Sequence, residues 1–496
     1  MNLAHIIDGH RPDHTAIISR GVTTTYGQLE VDVATLRGGL AGIGVGAGDR
    51  VAMLCGNSLA FVETYLAVLG LGGVVVPLNP QSPAPEIEQE IATVGASVVV
   101  LEAAAAAAWK GVDRAVVHSV RHVVATEAGI VDADSTLDQL MAGAPADVVE
   151  VEPDDLALLI FTSGTAGSPR AAMLSHGNLL SNIDQGRSAT GRINADDVVY
   201  GVLPMFHIFG LNVVLGLSLA NGATVVLVQR FDPSTALDTI RDRGITVIPG
   251  APPMWLAFSH FEEAPADSFA NVRLALTGAA KMPEEATRRL EKQFRLQLAE
   301  GYGLTEASPV VTSSAGLPLK VGSVGKVLDG VTVRLVDDDG DDVLEGDAGE
   351  IWVQGPNVFK GYLDDAEQTA RVLTEEGWLR TGDIAVTDDD GYLFLVDRAK
   401  DLVIVSGFNV YPAEVEAAIA EHPAVAEVGV VGVPHPHTGE AVKAWVVVRQ
   451  GMAVDEDTLI AWCADRLARY KSPSKILFVD ELPRNLSGKL LRRSLM

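Results

Sequence analysis

Short apolar runs alternate with segments of helical period through the first hundred residues. Arg50–Cys55 reads as a strand, Ser58–Gly70 as a helix, and Gly73–Leu78 as an all-apolar strand ended by Asn79-Pro80. Pro85–Val94 and Ser97–Leu101 repeat the helix-then-strand unit. Strands without polar alternation must be buried on both faces, so the pattern predicts parallel sheets flanked by helices. The alanine run Ala103–Ala108 predicts a surface helix or loop with no chemistry of its own.

Val198–Gln229 holds no Asp, Glu, Lys or Arg and would pass a bare hydropathy test for a membrane span. Pro204, His207, Asn212 and the Asn221-Gly222 pair interrupt it. Polar breakers in lipid need partners that a lone span lacks, so a loop, a short buried helix, a turn and the strand Ala223–Val228 are expected instead.

From about Val331 strand and turn signals take over. Asp337–Asp341 and Asp388–Gly391 lack the alternating ligands and closing Glu of a calcium loop and read as hairpin turns. After Asp401 the pattern becomes α+β: Tyr411-Pro412 opens a helix, Val425–Val433 and Ala441–Val448 read as strands, and Asp455–Leu467 as an amphipathic helix. The expected fold class is α/β, a large N-terminal domain of doubly wound sheets plus a β-rich subdomain, with a small C-terminal α+β domain. The expected boundaries are 1–397 for the large domain, 398–400 for a hinge and 401–496 for the small one.

A chain of 496 residues exceeds one ordinary domain. Its 37 Lys and Arg against 65 Asp and Glu give a net charge of −28, which disfavours nucleic acid and anionic membranes as partners. Cys55 and Cys463 stand far apart without metal-ligand spacing, which argues against a disulfide framework or a zinc site. The N-terminus shows no basic region followed by an apolar stretch. These features predict a cytoplasmic protein and leave peripheral membrane contact and a homodimer open.

Phe161-Thr162-Ser163-Gly164-Thr165-Ala166-Gly167-Ser168-Pro169-Arg170 follows the apolar strand Leu156–Ile160. Small residues let backbone N–H groups approach phosphate oxygens, hydroxyls add donors, and the closing cation neutralises charge. A flexible surface loop has the same composition. The glycine spacing, with no Gly-Lys-Ser/Thr behind it, is not that of a Walker A loop.

The stretch resembles the phosphate loop of the adenylate-forming superfamily, which includes acyl-CoA synthetases, coumarate:CoA ligases, luciferases and peptide-synthetase adenylation domains. Ala166, Arg170 and Ala171 stand where that family usually has Thr, Lys and Gly. Arg keeps the cation but changes its geometry and hydration. The resemblance assigns nucleotide contacts to Thr162, Ser163, Gly164, Thr165, Gly167 and Arg170.

Further matches follow in the family's order between Thr23 and Lys489. Leu203–Gly210 is similar to the segment whose histidine, here His207, lies between the pyrophosphate and the acyl pocket. Thr277-Gly278-Ala279-Ala280 resembles the adenine-contacting turn. In Glu300–Glu306 the resemblance places Tyr302 beside adenine, Thr305 on the α-phosphate and Glu306 on Mg²⁺, which an oxygen ligand suits. Gly322–Gly325 would be the next active-site turn. Asp383 of Thr381-Gly382-Asp383 and Arg398 of Asp397–Asp401 would hold the ribose, with the hinge at Lys400. Lys489 of Pro483–Lys489 would be the catalytic lysine, since uniting a carboxylate with a polyanion needs positive charge where they meet.

The implied enzyme is an acyl-CoA synthetase of the fatty-acid:CoA ligase type, similar also to coumarate:CoA ligases, that uses ATP, Mg²⁺ and coenzyme A. Rotation about Lys400 would exchange Lys489 for Gly407, whose lack of a side chain leaves room for pantetheine. A charge-free pocket built from Phe206–Leu219 and Trp255 suits an alkyl or aryl tail, and a fatty acid is expected. A fatty acyl-AMP ligase loading a carrier protein, an aryl-acid:CoA ligase and an inactive nucleotide-binding scaffold are the alternatives.

Overall fold

A computed structural model describes the chain except residues 163–169, 190, 262, 338, 345, 399–402, 406–407, 411, 436–438, 465, 468–470, 485–489 and 496. At 397, 398, 404, 408, 409, 439 and 493 it describes the backbone alone. The described residues pack as two units. One comprises Met1–Val321, Val327–Thr332 and Val353–Leu379, the other Gly322–Lys326, Val333–Trp352 and Arg380–Met496. The architecture is the expected α/β one, with large N-terminal sheets and a smaller C-terminal part.

The first unit is organised by two sheets. A seven-stranded sheet runs Ser135–Thr136, His122–Ala125, Val98–Leu101, Arg50–Leu54, Val74–Pro77, Leu156–Thr162 and Arg170–Ser175, parallel except for its last pair. Val74–Pro77 and Val98–Leu101 are buried along their whole length, as their unbroken apolar runs require. The helix Leu59–Gly70 between two of these strands starts where Ser58 accepts the Phe61 N–H at 3.2 Å.

In the second sheet, six parallel strands lie in the order Leu298–Gly303, Leu274–Thr277, Val247–Gly250, Val198–Gly201, Thr224–Leu227 and Thr15–Ser19. The charge-free segment is therefore two core strands with a buried helical stretch between them. That stretch is a π-helix, Phe209–Gly216, continued by Leu217–Ala220, where an ordinary short helix was expected. Asn212, the polar breaker inside it, donates to Ser308 O at 2.7 Å and Leu179 O at 3.3 Å, so its amide is satisfied by protein. No helix among the described residues is long and apolar enough to cross a membrane.

The alanine run forms the short turns Ala103–Ala105 and Ala106–Trp109, but Ala105 and Trp109 are buried in the core, so it is not purely a surface element. Trp255, read as a pocket wall, is fully buried beside Met254 and Phe258, and its indole N–H donates to Leu276 O at 3.0 Å. Apolar pocket walls and apolar cores share one sequence signature, and here the core prevails.

The second unit holds most of a four-stranded sheet, Thr332–Val336, Gly349–Gln354, Leu379–Thr387 and Leu393–Arg398. It also holds a five-stranded one built on Val425–His435 and Gly439–Val448, with Lys475–Phe478 added in parallel. Helices Pro412–Ala420, which opens at Pro412 as expected, and Glu456–Ala464, which lies within the expected Asp455–Leu467, accompany it. Both acidic turns close hairpins: Asp337 Oδ1 accepts the N–H groups of Asp339 and Asp341, and Asp388 Oδ1 those of Asp390 and Tyr392. Carboxylates that hold their own turn in this way do not need an ion.

Candidate active site

The adenine-turn candidate lies where parallel strands end, the position at which open α/β sheets bind ligands. Gly250, Thr277 and Glu300 are register partners on three neighbouring strands, so Gly278-Ala279-Ala280 and Gly301-Tyr302-Gly303 leave the sheet side by side. A methyl group on Gly278 would sit 3.3 Å from the Phe209 ring and 3.5 Å from Gly301 O. Ala279 is held at φ 69°, a left-handed backbone that alanine avoids and that an over-determined site can impose. Thr277 Oγ1 is buried without a hydrogen-bond partner among the described residues. Tyr302 is buried at 7 % exposure.

His207 precedes the π-helix on a turn closed by its own N–H to Pro204 O at 3.1 Å. The Phe209 N–H donates to His207 Nδ1 at 3.2 Å, which leaves the proton of the neutral ring on Nε2. Buried Asn57 fastens this turn, accepting the Met205 N–H at 3.0 Å and donating to Gly201 O, Leu203 O and Val228 O. A side chain on Gly210 would collide with Pro204 O, so only glycine lets the chain double back here. Over 205–210, Phe206, His207 and Phe209 are partly exposed whereas Met205, Ile208 and Gly210 are buried.

Thr305 and Glu306 sit on the short 3-10 turn Thr305–Ala307. Three asparagines pin it: Asn357 donates to Ala307 O at 2.8 Å, Asn212 to Ser308 O, and Asn182 to Val310 O at 2.8 Å. Glu306 Oε1 accepts the Tyr362 hydroxyl at 2.6 Å, and its backbone carbonyl accepts the Phe359 N–H at 2.9 Å. Burial, and then the Glu306 charge, push the Tyr362 phenol well above its ordinary pKa, so it remains a donor at neutral pH.

The phosphate-loop candidate connects Thr162 to Arg170, which are paired across the antiparallel strands that flank it. Ser163, Gly164, Thr165 and Gly167 lie outside the described residues. Arg170 Nε lies 3.3 Å from Asp365 Oδ2, and its guanidinium carbon is 5.8 Å from the centre of the Tyr362 ring. Arg170 and Glu306, far apart in sequence, thus share one neighbour, Tyr362. Sequence reasoning missed Tyr362, Asp365, Asn57 and the pinning asparagines, because long-range partners leave no mark in local spacing.

Asp383 belongs to the second unit, where it is 8 % exposed. Its turn is braced by Thr381 Oγ1, which donates to Ile351 O and accepts the Asp383 N–H, and by Glu350 Oε1, which accepts the Gly382 N–H at 2.8 Å. Asp383 is the register partner of Arg398. Ser323 of the Gly322–Gly325 turn is spent on backbone, donating to Leu393 O and accepting the Gly325 N–H. Lys400, Gly407 and Lys489 lie outside the described residues, as does the Arg398 side chain.

One carboxylate oxygen of Glu306 is taken by Tyr362, which leaves Oε2 without a partner among the described residues. That donor set fits Mg²⁺, an ion that keeps several waters and takes one or two carboxylates beside substrate phosphates. No group of three or more His, Cys, Asp or Glu placed to hold a metal occurs among the described residues.

Residues 7–363 match the AMP-binding enzyme family, and residues 414–489 match the AMP-binding enzyme C-terminal domain. The chain is 38% identical over 494 residues to a feruloyl-CoA synthase of Amycolatopsis, covering 97% of this chain and 95% of that protein. It is 34% identical to a long-chain-fatty-acid–CoA ligase of Bacillus subtilis, covering 98% and 92%. ATP-bound MatB from Rhodopseudomonas palustris matches with a TM-score of 0.92 and 33% identity, covering 100% of this chain and 98% of that one. The chain belongs to the AMP-binding enzyme family, among its adenylate-forming CoA ligases. It is an acid–thiol ligase acting on an acyl or aryl acid with ATP and CoA.

Proposed function

We propose that the enzyme activates an apolar, ring-bearing monocarboxylic acid and transfers it to free CoA. The observation that carries this reading is the pattern on the His207 turn. Phe206 and Phe209 flank His207 as its partly exposed neighbours, in a segment with no charged side chain from 198 to 229. An apolar surface disfavours a second carboxylate or an ammonium, and aromatic walls suit an aryl group by offset or edge contact. The 38% identity to a feruloyl-CoA synthase supports the same class. A straight-chain fatty acid is the second reading, supported by the 34% identity to the Bacillus subtilis enzyme.

In the first half-reaction a carboxylate oxygen bonds to the α-phosphorus of ATP, and the bond to pyrophosphate breaks as pyrophosphate departs with its electron pair. In the second the CoA thiolate bonds to the acyl carbon, the mixed anhydride breaks and AMP leaves. Mg²⁺, when bound, would neutralise phosphate charge. Glu306 would hold it, with Tyr362 orienting the carboxylate. His207, donating through Nε2, would face the reacting groups, and Thr305 the α-phosphate. Gly278, Ala279, Ala280 and Tyr302 would cradle adenine, and Asp383 with Arg398 the ribose. Lys489 would supply the charge that lets two anions react. We include in the proposal the hinge at 398–400, the rotation that brings Gly407 into use, and a cytoplasmic setting, which the buried free thiols of Cys55 and Cys463 suit.

The test is thioester formation from ATP and CoA over a panel of ferulate, benzoate, octanoate, palmitate, glutarate and alanine. The expected result is a kcat/KM for ferulate at least about tenfold above palmitate, with glutarate and alanine near background. A preference for palmitate selects the second reading, and turnover of glutarate or alanine overturns both.

A further inference from the structure

The phosphate-loop candidate ends on a cation that the fold has already engaged. The backbone ties 170–173 to 360–363: Leu363 N–H donates to Ala171 O, Met173 N–H to Gly361 O and Lys360 N–H to Met173 O, each at 2.9 Å. This register sets Arg170 beside Tyr362. Asp365 divides its oxygens, with Oδ1 capping the helix Ala366–Val372 through the Gln368 N–H at 3.1 Å and Oδ2 3.3 Å from Arg170 Nε. The Arg170 side chain is only 16% exposed, and its guanidinium approaches the Tyr362 ring, whose hydroxyl reaches Glu306. A guanidinium held by a carboxylate on one side and a ring nearby has little freedom to follow a moving phosphate.

We propose that Arg170 is a positioning residue, which holds Tyr362 against Glu306 so that the carboxylate is oriented for adenylation, rather than a ligand of the triphosphate. The inference deepens the reading above and rests on Glu306 serving the adenylation step. It also accounts for an arginine at this position, because a guanidinium can pair with Asp365 through Nε while its central carbon stays 5.8 Å from the centre of the Tyr362 ring.

Two measurements test it on the full-length enzyme. One is ATP affinity, by calorimetric titration in EDTA without acid, so a wrong acid assignment leaves it intact. The other is pyrophosphate exchange at varied Mg²⁺ with whichever acid the panel selects. In R170M and Y362F, kcat for exchange is expected to fall about tenfold, the size of one lost charge-assisted hydrogen bond, with ATP affinity within about twofold of wild type. The double variant R170M/Y362F should lose no more than the worse single one, because both act on the same carboxylate. R170K keeps the charge without the plane and should follow R170M. A tenfold or larger loss of ATP affinity in R170M that R170K restores, with Y362F unaffected, would show a phosphate ligand and overturn the proposal. So would losses that multiply in the double variant. Y362F removes one oxygen, so it keeps the comparison available should R170M fold poorly.

Discussion

Tyr362 donates its hydroxyl to Glu306 Oε1 at 2.6 Å, across 56 residues of sequence. The bond selects one orientation of the carboxylate and leaves Oε2 as the oxygen able to meet a cation. E306Q keeps the shape and loses the charge. Its exchange rate is expected to fall by about two orders of magnitude, the scale of one lost electrostatic group in a catalytic site. ATP affinity in EDTA should stay near the wild-type value. A variant that exchanges at full rate with an unchanged Mg²⁺ dependence would remove Glu306 from the reaction.

Asn57 satisfies two carbonyls and one N–H of the chain leading to His207, and it donates to Val228 O as well. In N57A the Leu203 and Val228 carbonyls and the Met205 N–H lose this partner, while Gly201 O keeps the Val228 N–H at 3.0 Å. The expected loss is about 1 to 3 kcal/mol, seen as a lower thermal midpoint. The turn that orients His207 should loosen as well, so kcat is expected to fall further than KM rises. A variant that melts lower but turns over normally would make Asn57 a purely structural residue.

Lys489 is tested by separating the half-reactions. K489A is expected to form acyl-AMP about 10² to 10³ times more slowly, while converting supplied acyl-AMP and CoA to thioester within a few-fold of the wild-type rate. Equal losses in both halves would contradict a role confined to adenylation.

The parts of the fold that could be read from the sequence are those in which local pattern and burial agree. Val51–Leu54, Val74–Pro77 and Val98–Leu101 are unbroken apolar runs, and all three belong to central parallel strands. Asp337 and Asp388 announce their turns because the side chain that favours the turn also builds it. The π-helix at Phe209–Gly216 was not readable, since a stretch whose one polar side chain, Asn212, is buried with the rest has no face from which to count a period. Nor was the core position of Trp255. For the site, residue type found Glu306 and His207, but Tyr362 and Asn57 act through partners more than fifty residues away, which no local spacing encodes.

Glu350 offers a test in the second unit. Its two oxygens accept the Gly382 N–H at 2.8 Å and the Trp352 indole N–H at 3.0 Å, bracing the turn that carries Asp383. E350A should leave the Gly382 N–H unpartnered and let Asp383 drift. If Asp383 binds ribose, KM for ATP is expected to rise about three- to tenfold with a smaller change in kcat. An unchanged KM for ATP would detach Asp383 from the nucleotide.

Two carboxyl groups far from this chemistry make stability depend on pH. Glu63 and Glu90 are 7% and 6% exposed, and burial pushes each up to about 8 from the ordinary 4.5, with Asp32 and Asp138 adding to the first and Glu86 to the second. Folded, each keeps its proton over a range in which the unfolded chain would release it. The unfolded state therefore binds fewer protons, and stability must fall as pH rises. Their contribution is complete below about 4.5 and is lost progressively until about 8. Asp197, held by Arg273, acts in the opposite sense at lower pH, and buried His176, pushed down to about 4 from the ordinary 6.5, acts in the opposite sense between those values, so the fall due to the two glutamates stands alone only above about 6.5. The thermal midpoint of the wild type is expected to drop between about pH 6.5 and pH 8. Glutamine is a permanently neutral isostere of the protonated acid, so E63Q and E90Q should each make that drop shallower, and the double variant shallower still. Identical slopes in wild type and double variant would mean that both carboxyls are ionised in the folded protein.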